Sequence, residues 1–241
     1  MQRSDIETIF ELKKNDLTRN IQPSSNPVAI LLGGQPASGK SKLAVKAEEE
    51  HQKETFLIIN GDEYRIYHPE HDSLIKEVAL YSEKTQMFSS VFTEKLIEEA
   101  IKNCFSVIVE GTMRNPEVPL KTSKMFKDAG YRVEAYIIAA PEQFTREGIH
   151  KRYLQELQNK GFGRMADIRA HDEAVTGLLK SINTLYDKKA VDKISIHTFM
   201  ARERESVFVL KNDEWDCRLR PGNVIEKART EQLLKAHPMA E

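Results

Sequence analysis

Short apolar runs alternate along the chain with longer segments of helical periodicity. The runs cover residues 28–32, 55–59, 105–109, 133–139 and 193–198. Because the runs are short and β-rich, and the segments between them repeat with a helical period, the pattern is typical of βαβ units stacked on one sheet. It predicts an α/β fold with a mostly parallel central sheet flanked by helices.

Three further segments complete this prediction. Residues 72–102 carry Leu, Val, Phe and Ile at spacings that suit one or two helices packed over the substrate side. Residues 206–210 predict an added edge strand, and the charged segment from residue 223 onward predicts a terminal helix.

The N-terminal part differs in composition from the rest. Residues 4–19 predict a short charged helix, and residues 22–27, rich in Pro, Ser and Asn, predict a connector. We therefore expect residues 1–26 to form an N-terminal extension and residues 27–241 to form a single domain.

Composition narrows the class of protein. The 36 basic and 37 acidic side chains nearly cancel, so no strong field attracts nucleic acid or an anionic membrane. Cys104 and Cys217 belong to no CxxC or Cys/His cluster, which argues against a disulfide framework or a zinc site. The sequence has neither the apolar core of a signal peptide nor a run of about 18 apolar residues. We expect a cytoplasmic protein without nucleic-acid or membrane partners.

A phosphate-binding motif follows the first run. The segment GQPASGKS matches G-x-x-x-x-G-K-[ST] at every fixed position and precedes a helical segment. Its backbone N–H groups and the start of the helix are suited to cradle the phosphates of ATP or GTP, while Lys40 reaches the β/γ oxygens and Ser41 binds Mg²⁺. The predicted nucleotide-binding residues are Gly34, Gln35, Pro36, Ala37, Ser38, Gly39, Lys40 and Ser41.

Two acidic residues stand where neighbouring strands are predicted to end. Asp62 follows the second run and Glu110 ends the third. Ligands of open α/β sheets bind beyond the carboxyl ends of the strands, and a kinase needs a carboxylate there to orient a hydroxyl and accept its proton. Asp62 is our candidate for this base, with a simple turn carboxylate as the alternative. Glu110 is open to a second role, holding Mg²⁺ through water.

These segments, taken together, resemble the zeta toxin family. GQPASGKS resembles the family's phosphate loop, NGDEYRIYHPEH the segment with its catalytic Asp, EGTMRN its EGTxR motif, and GYRVEAYIIAAP the strand that follows. The resemblance covers residues 28–172 and implies a P-loop kinase-like fold. Known members are kinases of toxin–antitoxin systems that phosphorylate the 3′-hydroxyl of UDP-N-acetylglucosamine.

The resemblance also implies roles for individual residues. Lys40 would bind the phosphates, Ser41 would bind the metal, and Asp62 would be the general base. The residues implied to contact the sugar nucleotide are Asp62, Glu94, Glu110, Thr112 and Arg114.

A mobile lid is implied as well. Arg152 and Arg164 would fold over the triphosphate from a lid at about residues 142–170, with the Gly-containing segment 160–163 as its flexible part. With Lys40, these arginines would spread the charge of the transition state.

Plainer interpretations stand beside these roles. Thr112 and Arg114 are also suited to cap the turn at Pro116, and Arg152 and Arg164 are also typical of solvated helix charges.

One position departs from the family's pattern. Ala37 replaces a glycine that is common in the loop, a change that is tolerated if the φ of Ala37 is negative.

Consumption of a cell-wall precursor would make such a kinase toxic. The resemblance then implies an antitoxin that covers the nucleotide site, and residues 1–26 are too few for a substantial inhibitory domain, so we expect a separate chain. Two alternatives stay open: a kinase for an antibiotic, a nucleoside or a polynucleotide end, and a nucleotide-gated binding module that has lost catalysis.

Overall fold

A central β-sheet organises the part of the chain that the computed structural model describes, residues 1–77, 80–161, 163, 165–199 and 203–236. The strands lie in the order β2-β3-β1-β4-β5-β6-β7. Their bounds are β1 Val28–Gly33, β2 Phe56–Asn60, β3 Ser106–Gly111, β4 Arg132–Ala139, β5 Lys193–Thr198, β6 Arg204–Lys211 and β7 Glu214–Trp215.

The sheet is mostly parallel, as predicted. β1 pairs in parallel with both β3 and β4, β2 pairs with β3, and β4 pairs with β5. The edge strand β6 runs antiparallel to β5 and pairs with the short β7. Every residue of β1 is buried, which explains why this strand is apolar without alternation.

Helices cover the two faces of this sheet. The longer ones are α1 Arg3–Thr18, α2 Lys40–Glu50, α6 Gln86–Lys102, α7 Glu117–Asp128, α8 Glu142–Lys160, α9 Ile168–Asp187 and α10 Pro221–Ala236. Single-turn helices precede α6: α3 Gly61–Tyr64, α4 His71–Leu74 and α5 Tyr81–Lys84, with a 3-10 turn at Arg65–Tyr67 between α3 and α4. Within residues 72–102, the described part of the chain forms the long helix α6 preceded by single-turn helices, in place of the one or two helices that the spacing predicts. Within the described residues no helix is both long and apolar enough to cross a bilayer.

The N-terminal helix shares the core of the sheet. Ile6 and Phe10 of α1 are buried and belong to the same hydrophobic cluster as Ala29 and Leu31 of β1 and the buried apolar residues of α6. The ring of Phe10 meets that of Phe92 edge to face, with 5.3 Å between centroids. Residues 1–26 therefore contribute α1 to the main core.

Candidate active site

The phosphate loop connects the end of β1 to the start of α2. Gly39, the N-cap residue of α2, adopts φ 81°, a left-handed conformation that glycine reaches without strain. Because β2 and β3 run parallel to β1, their carboxyl ends reach the same edge of the sheet. The phosphate loop, which follows β1, therefore lies at the same edge as the residues that follow β2 and β3.

Lys40 lies at the centre of this edge. Its Nζ donates to the backbone oxygens of Gly34 at 2.9 Å and Gln35 at 3.3 Å. Burial lowers the pKa of Lys40, and the negative charges of Glu110 and Asp62 oppose that change. The structure thus brings the predicted loop lysine within electrostatic range of both predicted carboxylates.

The loop has features that suit a bound phosphate. The hydroxyl of Ser38 is buried and has no hydrogen-bond partner among the described residues. A Cβ on Gly34 would lie 2.5 Å from that hydroxyl oxygen, so only glycine fits there. A phosphate oxygen would give the Ser38 hydroxyl an acceptor, and a buried polar group needs a partner. Ser41, exposed in the first turn of α2, has the hard oxygen ligand that Mg²⁺ prefers.

Ala37 corrects the expectation drawn from the sequence. Its φ is +61°, in the left-handed region, so the negative φ that would make alanine tolerable is absent. The side chain is accommodated instead by its neighbour on α8, because Gly148 has no side chain where a Cβ would lie 3.0 Å from that of Ala37.

Asp62 is held in the first turn of α3. Its N–H donates to Oδ1 of Asn60 at 3.1 Å, which caps α3. The carbonyl oxygen of Gly61 accepts a hydrogen bond of 2.7 Å from Ser89 of α6. The turn that carries Asp62 is thus fixed both to the end of β2 and to α6.

An arginine that sequence reasoning missed pairs with Asp62. Nε of Arg65 lies 3.1 Å from Oδ1 of Asp62. Arg65 is 5% exposed, and its guanidinium also donates to oxygens of Ser82, Thr85 and Gln86. The spacing of three residues between Asp62 and Arg65 on a helical turn was the available signal.

Glu110 is the second-last residue of β3, and its charge acts on Lys40 of the loop. Oε2 of Glu110 accepts a hydrogen bond of 3.4 Å from Nδ2 of Asn60. Burial raises the pKa of Glu110, the charge of Lys40 lowers it, and the nearby charges of Glu63 and Asp62 raise it further. Glu110 is therefore a stronger base than an ordinary glutamate, and it remains a rival to Asp62.

The segment after β3 is clamped onto α9. The carbonyl oxygen of Met113, a residue with φ 50°, accepts a 2.6 Å hydrogen bond from Ser181. A Cβ on Gly177 would lie 2.0 Å from the Arg114 carbonyl oxygen, so the two backbones touch. The exposed guanidinium of Arg114 pairs with Glu173 at 3.3 Å. Thr112, half-buried, belongs to the same rigid segment.

Glu94 lies on α6 and forms an ion pair with the N-terminal helix. Its carboxylate pairs with Arg3 at 3.0 Å, on the side of α6 that faces α1. Its predicted contact with a sugar nucleotide stays a prediction.

Arg152 of α8 lies within electrostatic range of the phosphate loop and of Glu110. Its side chain is 66% exposed and pairs with Glu156 at 2.9 Å, yet its positive charge acts on both Lys40 and Glu110. Arg164 lies outside the described residues. The catalytic roles of both arginines, and the mobility of the segment from 142 to 170, stay predictions.

Buried polar contacts fix the start of α8. Thr145 receives a hydrogen bond of 3.3 Å from Gln35 of the phosphate loop and lies 2.8 Å from Nε2 of His171. His171 is fully buried and its Nδ1 lies 2.9 Å from Asp172. This histidine connects α8 to α9, a structural role.

These features together define a P-loop kinase-like fold: a phosphate loop after the central strand β1, and carboxylates at the carboxyl ends of β2 and β3. The family model described as Zeta toxin matches residues 13–214. The chain therefore belongs to the zeta toxin family.

Curated relatives agree with this assignment. Toxin PezT of Streptococcus pneumoniae is 31% identical over 215 residues, which is 87% of this chain and 83% of that protein. Toxin zeta of Enterococcus hirae is 30% identical over 187 residues, 74% of this chain. The matched part spans 64% of the length of the E. hirae toxin.

Solved structures share the fold. A structure from a study of the PezAT chromosomal toxin–antitoxin system of S. pneumoniae aligns with a TM-score of 0.81 at 23% identity, covering 98% of this chain and 94% of that one. The AvrRxo1-ORF1:-ORF2 complex aligns with a TM-score of 0.53 at 15% identity, covering 96% of this chain and 70% of that one.

Proposed function

We propose that this protein is a kinase that transfers the γ-phosphoryl group of ATP or GTP to the 3′-hydroxyl of UDP-N-acetylglucosamine, and that it acts in the cytoplasm as the toxin of a toxin–antitoxin system. Membership of the zeta toxin family and the relatives named Toxin PezT and Toxin zeta support a toxin kinase of this kind. The observation that carries the proposal is the convergence of Lys40, Asp62 and Glu110 at the carboxyl ends of three adjacent parallel strands.

The loop binds the nucleotide in this proposal. Its N–H groups, the start of α2 and the Ser38 hydroxyl surround the phosphates, and Lys40 turns from its carbonyl acceptors to the β/γ oxygens. Ser41, and Glu110 through water, would hold Mg²⁺, which when bound neutralises charge on the phosphates. Arg152 adds positive charge from α8.

Asp62 supplies the proton acceptor. The acceptor hydroxyl lies against the Asp62 carboxylate, in line with the γ-phosphorus. As the new O–P bond forms, the hydroxyl proton passes to Asp62 and the bond from the γ-phosphorus to the bridging oxygen breaks, leaving ADP or GDP. Because phosphoryl transfer asks little covalent chemistry of the protein, placement and charge supply most of the rate.

The substrate contacts follow the end of β3. Glu110, Thr112 and Arg114 occupy alternate positions of one short segment, and the clamp of Met113 and Arg114 onto α9 gives them a fixed backbone. A fixed backbone suits recognition of a sugar nucleotide, whose phosphates would pair with the exposed guanidinium of Arg114. Glu94 is a further proposed contact.

A separate antitoxin chain is the proposed partner. The PezAT structure belongs to a toxin–antitoxin system, and AvrRxo1-ORF1 is found in a complex with a second chain. In this proposal the antitoxin covers the nucleotide site and so prevents transfer.

One experiment separates this function from its rivals. Purified protein is incubated with γ-labelled ATP or GTP and a panel of UDP-sugars, antibiotics, nucleosides and oligonucleotides, with Lys40→Ala as the control. We expect label on UDP-N-acetylglucosamine only with unmodified protein. Label on another compound would replace the substrate, and nucleotide binding without transfer to any compound would indicate a binding module.

A further inference from the structure

We propose that Arg65 is the positioning residue of the catalytic base: it holds the carboxylate of Asp62 through an ion pair and anchors it to the turn between α5 and α6. The inference rests on the proposed function, because it assigns Arg65 a part in phosphoryl transfer. Arg65 acts through Asp62 and is given no contact with the substrate or the nucleotide.

The local fold places the two residues on one face. Asp62 lies in α3 and Arg65 begins the 3-10 turn that continues it, three residues later. Nε of Arg65 donates to Oδ1 of Asp62 at 3.1 Å. The side chain of Asp62 is 49% exposed whereas that of Arg65 is 6% exposed. A buried cation therefore holds a carboxylate that reaches the solvent-facing site.

The two Nη groups of Arg65 donate hydrogen bonds to uncharged oxygen atoms. Nη1 donates to the carbonyl oxygen of Ser82 at 3.0 Å and to the hydroxyl of Thr85, and Nη2 donates to Oε1 of Gln86 at 3.3 Å. A guanidinium is planar and presents its donors in a rigid fork, so these acceptors fix the direction of Nε as well. The orientation of Asp62 is thus set by residues on the turn that leads into α6.

The charge balance indicates a role beyond packing. A buried cation is costly without an opposite charge, and among the described residues the carboxylate paired with Arg65 is that of Asp62. The carboxylate of Asp62 is consequently held in place before the substrate arrives. Such preorganisation matters because a displacement of about 1 Å can cost about a hundredfold in rate.

Other charges also face Asp62. Lys40 of α2 attracts it, Glu110 of β3 repels it, and Glu63 follows it in its own turn. The α6 residues beside the turn, such as Ser89, are uncharged. Removing the Arg65 cation, which lies 3.1 Å from the Asp62 carboxylate, while these carboxylates stay in place would favour the protonated form of Asp62.

The test compares Arg65→Lys and Arg65→Met with unmodified protein, using ATP and UDP-N-acetylglucosamine. We expect turnover to fall about ten- to a hundredfold with little change in either KM, because the base is displaced while the binding residues stay. The acidic limb of the pH–rate profile should move to higher pH, more in Arg65→Met than in Arg65→Lys. In an Asp62→Asn background, neither change should lower turnover further.

A matched control is available in α1. Arg19 pairs with Asp16 at 2.7 Å with the same spacing of three residues, at the protein surface. Arg19→Lys should leave turnover and the pH–rate profile unchanged. If the Arg65 variants do not fold, Gln86→Met is the test, because Gln86 is exposed and supplies one anchor. A loss of turnover that vanishes in the Asp62→Asn background supports the inference, and unchanged turnover overturns it.

The titration of the Asp62 carboxyl gives a readout without substrate. In ¹³C-aspartate-labelled protein the Asp62 signal is assigned by its loss in Asp62→Asn. A rise of its midpoint in Arg65→Met supports the inference, and an unmoved midpoint overturns it. If unmodified protein phosphorylates no UDP-sugar, the proposed function fails. If it does, and Arg65→Lys or Arg65→Met is equally fast, only the inference fails.

Discussion

The methyl group of Ala37 at the tip of the phosphate loop packs against Gly148 of α8, where a Cβ would lie 3.0 Å from the Cβ of Ala37. One turn later the same helix carries Arg152, whose charge acts on Lys40. The contact therefore sets the distance between the loop and the arginine proposed to act on the triphosphate.

A larger residue at position 148 should move α8 away from the loop. We expect Gly148→Leu to lower turnover about a hundredfold by displacing Arg152, since small misplacements are costly. Leucine has a higher helix propensity than glycine, by about 0.8 kcal/mol. Because this gain opposes the cost of the contact with the loop, the thermal stability of the variant should change little. Steady-state kinetics and thermal melts test this. The control is Glu147→Leu at the adjacent exposed position, and equal kinetics in both variants would contradict the account.

Lys40 should be indispensable for transfer. Lys40→Ala removes the loop cation, and we expect turnover to fall by about 10²–10³ or more, with weakened ATP binding. Lys42→Ala, two residues on and exposed, is the matched control and should behave as unmodified protein. Full transfer by Lys40→Ala would rule out the assigned role of the loop.

Substitution of Arg114 should change the KM for the acceptor substrate and not the KM for ATP. Loss of a charged hydrogen bond costs about 1.5–3 kcal/mol, so Arg114→Ala should raise the KM for UDP-N-acetylglucosamine roughly ten- to a hundredfold and leave the KM for ATP unchanged. Glu173→Gln, which removes the ion-pair partner but keeps the guanidinium, should not raise it. An unaltered KM for UDP-N-acetylglucosamine in Arg114→Ala would mean that this residue only caps the turn at Pro116.

The buried carboxylate of Glu134, away from the site, should make the free energy of unfolding depend on pH. Burial acts to raise the pKa of Glu134, but its hydrogen bond with His51 and the charges of Lys193 and Arg132 outweigh burial and lower the pKa to about 2. Glu134 therefore stabilises the fold above its ordinary pKa of 4.5, and this contribution is lost as the pH falls toward 2. The hydrogen bond with Glu134 raises the pKa of His51, whose contribution is full below 6.5 and is lost as the pH rises through its raised value.

The difference in unfolding free energy between unmodified protein and Glu134→Gln should accordingly be largest between pH 4.5 and 6.5. Denaturant unfolding across the pH range measures it. Glu98→Gln, which breaks a surface ion pair with Lys95, should show a small difference that hardly depends on pH. A pH-independent difference for Glu134→Gln would contradict the expected linkage.

The strands and the phosphate loop were predictable because their signals are local. Each of the predicted parallel strands is present with its ends within two residues of the expected positions, and the loop lies between β1 and α2 as its motif requires. The position of Asp62 followed from the end of β2 in the same way.

Tertiary contacts were not predictable from such patterns. Nothing local shows that Arg65 is buried against α5 and α6, that Ala37 takes a positive φ opposite Gly148, or that Glu94 pairs with Arg3. Each depends on which elements pack together, and the charges of the short N-terminal helix gave no indication of its partner α6.

The central claim is that Asp62 is the general base, and Asp62→Asn tests it most directly. Asparagine keeps the size of the side chain but accepts no proton at neutral pH, so turnover should fall by about 10²–10⁴ while the fold and ATP binding survive. Recovery of the rate at raised Mg²⁺ would make Asp62 a metal ligand instead. The decisive measurement is the turnover of Asp62→Asn with ATP and UDP-N-acetylglucosamine at low and high Mg²⁺: a loss of that size at both concentrations is predicted, and turnover near that of unmodified protein would contradict the account and point to Glu110.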